Sequence, residues 1–134
     1  MAEGQFRYAF FARHYEATIA FYRDDLALPV MESWDRGPDD RGTLFQAAAG
    51  MVEVMAFPPQ PEEDAPWDYR QPQGVWMVIE VEQVDQLYQR ALARNLPLRE
   101  GLKEQPWGHR SFMVSDPNGL TIYFFSRPEE GGTG

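Results

Sequence analysis

The segment from Phe6 to Ala12, FRYAFFA, is almost unbroken in apolar and aromatic residues and predicts a half-buried strand. The period then changes. In HYEATIAFYRDDLALP, Ile19, Tyr22 and Leu26 recur three and four residues apart, which predicts an amphipathic helix ended by Pro29, with His14 as a polar cap at its start. VMESW predicts a second strand, DRGPDDRG marks a loop over Arg36–Gly42, and TLFQAAAGMVEVMAF predicts two strands about Gly50. The first half of the chain therefore reads β-α-β-β-β.

A stretch crowded with proline and acids follows, PPQPEEDAPWDYRQPQG, which can bury little and predicts a linker over 58–73. VWMVIEV then predicts a strand. In VDQLYQRALARN, Val84, Leu87, Tyr88, Ala91 and Leu92 form one helical face, and Asn95 stands where a helix end accepts a left-handed residue. LPLREGLKEQPWG holds a short strand and a loop, HRSFMVS and LTIYFF predict strands, and DPNG predicts the turn between them. The second half is again β-α-β-β-β. Both helices close on a similar phrase, ALPV and NLPL, and both halves end on a strand that follows glycine. The chain is thus expected to be α+β, with two tandem modules, about 5–57 and 74–126, in one domain and a disordered tail over 127–134.

Alternation sorts the strand residues into faces. Arg7, Ala9 and Phe11 share one face, as do Met51, Glu53 and Met55, then Trp76, Val78 and Glu80, and finally Thr121, Tyr123 and Phe125. This wall is aromatic, rich in thioether and sparsely acidic, a lining that suits a planar organic ligand as well as a packed core. Trp34 and Trp107 add to it, because neither falls on a helix-facing core position.

Composition narrows the partners. A chain of 134 residues with 43% hydrophobic content is long enough for one core. No apolar run approaches the roughly 20 residues of a membrane span, and the N-terminal segment lacks the features of a secretory signal, so a cytoplasmic location is expected. The net charge of −9, with 12 scattered basic residues, disfavours nucleic acid and suits a cationic ligand if the acids face a cleft. With no cysteine, disulfides, thiolate metal sites and a cysteine nucleophile are excluded.

Taken together, ATIAFYRDDLALPV, PWGHRSFMVSDPNGLTIYFF and the two βαβββ halves make the chain resemble the vicinal oxygen chelate superfamily, from about Phe6 to Ser126. That superfamily includes glyoxalases, extradiol dioxygenases, fosfomycin resistance proteins and bleomycin resistance proteins. The resemblance implies mixed sheets curled around a cavity, often across a homodimer interface. It also implies four metal-binding positions, which fall here on Arg7, Glu53, Trp76 and Tyr123. Of these only Glu53 is an ordinary ligand, since arginine stays protonated, tryptophan only donates, and a lone carboxylate makes no hard-metal cage. No metal or other cofactor is therefore expected, and an ion pair between Arg7 and Glu53 is expected in its place.

PWGHRSF ahead of DPNG looks like the metal-free, bleomycin-resistance-like branch. The function implied is sequestration of an antibiotic or of a hydrophobic or cationic metabolite, with Arg7, Phe11, Trp34, Glu53, Met55, Trp76, Trp107, His109 and Tyr123 as ligand-binding candidates. The alternative is a metal-dependent lyase, isomerase or dioxygenase of the same superfamily. No catalytic residue is assigned. The proline-rich linker reads as a solvated connector or as a lid.

Overall fold

A computed structural model describes residues 4–38, 40–56 and 73–128. The linker expected over 58–73, with the lid suggested for it, lies outside the described residues save for Gln73. So does the tail beyond Pro128. The chain divides into two compact units at Pro72 and Gln73.

In the first unit β1 (Arg7–Ala12) is followed by α1 (Tyr15–Ala20), then β2 (Val30–Asp35), β3 (Arg41–Ala47) and β4 (Gly50–Ala56), joined in the order β1-β4-β3-β2. β1 runs parallel to β4 and the other pairs are antiparallel. The second unit repeats this plan. β5 (Trp76–Glu80), α2 (Val84–Ala93), β6 (Leu98–Glu104), β7 (Arg110–Ser115) and β8 (Thr121–Ser126) form a sheet in the order β5-β8-β7-β6, with β5 parallel to β8. This is the α+β tandem repeat that the order of elements in the sequence predicts. Among the described residues no helix is long and apolar enough to cross a membrane.

The phrases ALPV and NLPL have one structural cause. Ala27 and Asn95 both take left-handed conformations, with φ of 58° and 53°, and turn the chain out of the helical segment. Pro29 and Pro97 follow two residues later, and the carbonyl of each accepts from the neighbouring strand, from the Gln46 and Ser115 amides, both at 2.9 Å. The next strand then begins on an irregular register in both units, at Val30 and at Leu98.

Each sheet buries one face against its helix. In the first unit Tyr22, Phe45, Val52 and Val54 are buried, with Tyr22 against Phe45 at 5.8 Å between ring centroids. In the second, Phe112 stacks on Phe124 at 5.4 Å and takes the edge of Tyr88 from α2 at 5.1 Å. Full burial of each such side chain stabilises by roughly 1.5–3 kcal/mol.

Three local expectations change. The first helix is not uniform: beyond Ala20 it widens into a π-helical turn over Phe21–Asp25, in which the Leu26 amide donates to the Phe21 carbonyl. The loop expected over Arg36–Gly42 ends earlier, because Arg41 and Gly42 already pair with Asp35 and Trp34. His14 occupies the N-cap but makes no side-chain cap; its carbonyl instead accepts from the Thr18 amide and hydroxyl. In the DPNG turn only Gly119 takes a positive φ, 87°, while Asn118 donates its amide to the buried Asp116 carboxylate at 2.8 Å.

Just past β8, Arg127 makes two hydrogen bonds to the Glu80 carboxylate.

Candidate functional site

Strand alternation leaves each sheet one face turned away from its helix. On the first sheet Phe10 meets Tyr22 on the helix side, so Arg7, Ala9 and Phe11 lie on the opposite, open side. The register then carries Phe11 to Met55, Met55 to Gly42 and Gly42 to Trp34, one row across all four strands. A Cβ on Gly42 would stand 2.1 Å from the Trp34 ring, so the absent side chain is what lets the indole lie across β3. In the adjoining row Glu53 sits between Ala9 and Leu44, and Arg7 Nη1 donates to Glu53 Oε1 at 3.1 Å. The ion pair expected from the sequence is therefore formed. Arg7 Nε is also held, by Gln5 Oε1 at 2.9 Å.

The open face of the second sheet is aromatic. Trp76 stacks on Tyr123 with 5.9 Å between centroids and 12° between planes. Tyr123 is buried beneath it, whereas Trp76 is 55% exposed and its neighbour Val78 56%. His109, just before β7, lies flat on Phe125 with centroids 4.1 Å apart. Its Nδ1 accepts from the Trp107 indole N–H at 3.2 Å and lies 3.3 Å from the Tyr123 hydroxyl. An indole nitrogen only donates, so Nδ1 is an acceptor and the neutral ring carries its proton on Nε2. Glu80, in the row of Phe125, is engaged by Arg127.

All nine sequence candidates thus lie on, or border, these two faces. Arg7, Phe11, Trp34, Glu53 and Met55 belong to the first and Trp76, Trp107, His109 and Tyr123 to the second. Phe125 and Leu44 complete the two surfaces. The alternation of LTIYFF placed Phe125, whereas Leu44 carries no signal beyond its strand register.

The four positions that the resemblance links to metal binding hold a salt bridge and a stacked aromatic pair. Glu53 is turned to a guanidinium, and neither Trp76 nor Tyr123 supplies an anionic oxygen. Among the described residues no group of three or more His, Cys, Asp or Glu side chains could hold a metal ion. These donors do not fit a divalent metal.

The model of the Glyoxalase/Bleomycin resistance protein/Dioxygenase superfamily matches residues 4–124. The chain belongs to this superfamily. Its fold is shared with TioX from Micromonospora sp. ML1, at a TM-score of 0.73 and 16% identity, covering 94% of this chain and 100% of that one. A lactoylglutathione lyase from Agrobacterium tumefaciens is similar at a TM-score of 0.67 and 20% identity, over 93% and 94% of the two chains. A superfamily member from Alicyclobacillus acidocaldarius follows at 0.64 and 19%, over 94% and 92%. Identities this low establish the superfamily fold alone. No curated protein matches the chain.

Proposed function

We propose that this member of the superfamily binds a flat, apolar organic molecule, cationic in character, without a divalent metal. The observation that carries the proposal is the replacement of a ligand set by the Arg7–Glu53 pair and the Trp76–Tyr123 stack. A metal-dependent mechanism polarises an oxygen of the substrate, which needs at least three converging donors. A half-exposed indole lying on a buried phenol offers instead a surface for stacking, and Val78 and Trp107 extend it. The net charge of −9 supports a preference for cations, which aromatic faces also attract.

Sequestration of an antibiotic or of a metabolite of that chemistry is the role proposed. The exposed apolar residues Phe6 and Met31, which the stacking surface does not use, support assembly as a homodimer that covers them.

A thermal-shift panel run in the presence of chelator tests the proposal. Planar aromatic cations are expected to raise Tm, and planar anions of equal size are expected to do so less. Stabilisation that appears only after a divalent metal is added would favour the lyase, isomerase or dioxygenase reading.

A further inference from the structure

On the helix side of the first sheet, opposite the open face, a groove of about 390 Å³ runs between α1 and the β2–β3 edge. Its floor is hydroxylic. Tyr15 Oη and Thr43 Oγ1 share a hydrogen bond of 2.8 Å, and Ser33 Oγ lies 3.4 Å from the same threonine oxygen. Ile19 and Val30 form an apolar wall, and Arg41 lines the groove beside them.

Arg41 is the distinctive element. Its guanidinium lies over the Tyr15 ring, 4.6 Å from the centroid, which fixes the fork in one plane. Nη2 donates to the Glu16 carboxylate, and Nε stands 3.5 Å from Asp35 Oδ2. No described group accepts from Nη1. The arginine side chain is only 30% exposed, whereas that of Glu16 is 77% exposed. The cation is thus a fixed part of the groove, and its carboxylate partner is a solvated side chain that can turn away.

We infer that this groove binds a small organic carboxylate. The carboxylate takes the Arg41 fork in place of Glu16, the hydrocarbon rests on Ile19 and Val30, and the Ser33 hydroxyl donates to a ligand oxygen. A planar guanidinium matches a carboxylate with two parallel hydrogen bonds, each stronger than a neutral one. A cation would find only Glu16 and Asp35, both solvated and already shared with Arg41. The volume falls within the range of about 300–1,000 Å³ typical of small-molecule sites. Trp34 and Gly42 also border the groove, but the inference is independent of the stacking proposal, because it uses neither Trp76 nor Tyr123.

Amide NMR spectra of the full chain, titrated with 2-naphthoate and with neutral 2-naphthamide, test it. Naphthoate is expected to give saturable shifts at Tyr15, Ser33, Arg41 and Thr43, with naphthamide weaker by about tenfold or more. Arg41→Gln is expected to abolish saturation, and Glu16→Gln to tighten naphthoate several-fold by removing the internal competitor. Should Arg41→Gln fail to fold, the exposed Glu16→Gln substitution carries the test. Equal affinity for the amide, an affinity unmoved by Glu16→Gln, or shifts confined to the surroundings of Trp76 and Tyr123 would each overturn the inference. The last of these would leave the open-face proposal standing.

Discussion

Trp34 and Gly42 face each other across β2 and β3, and the indole occupies the space that a side chain at position 42 would need. Because the ring cannot coexist with a methyl group 2.1 Å away, Gly42→Ala must expel it from the open face. A loss of about 1–3 kcal/mol is expected from overpacking, together with a red shift of Trp34 emission. Denaturant unfolding and fluorescence of a variant that keeps Trp34 as its sole tryptophan measure both effects.

Ala27 holds a left-handed conformation that its counterpart Asn95 adopts more readily. Ala27→Asn is therefore expected to stabilise the protein by about 0.5–1 kcal/mol, and Ala27→Gly to do no more than that. Thermal unfolding of the two variants decides the point, and a lower Tm for Ala27→Asn would contradict it.

Arg110 ties the start of α2 to β7 through two hydrogen bonds to Asp85, and these hold the Asp85 carboxyl below the ordinary aspartate range. A carboxyl depressed in the folded state stabilises fully above its unfolded pKa and loses that effect as pH falls through its folded one. The Tm of the parent protein should therefore exceed that of Asp85→Asn at neutral pH, and the difference should close in acid. A difference that grows on acidification would reverse the sign.

His109 is held as the Nε2–H tautomer by the Trp107 indole. Nitrogen-15 shifts of the imidazole are expected to show an unprotonated Nδ1 in the neutral ring, and Trp107→Phe is expected to relax that preference. Protonation on Nδ1 in the parent protein would refute the arrangement.

Much of this was legible in the sequence because the repeat constrains it twice. ALPV and NLPL mark the same left-handed exit and proline carbonyl, and alternation grouped Arg7, Glu53, Trp76 and Tyr123 onto strand faces that the family resemblance turned toward a cavity. The Trp34–Gly42 fit was hidden, since Gly42 sits in a glycine-rich, acidic string that reads as loop and becomes strand only through pairing with β2. The groove beside Arg41 was hidden for another reason. It depends on a cross-element pair between Glu16 and Arg41, which leaves no periodic trace.

Calorimetric titration of the planar cation proflavine into the full chain, with and without chelator and beside Trp76→Ala, tests the central claim most directly. The account predicts binding that chelator leaves unchanged and that Trp76→Ala weakens by about tenfold, the loss of one stacking face. Binding abolished by chelator, or undiminished in Trp76→Ala, would contradict it.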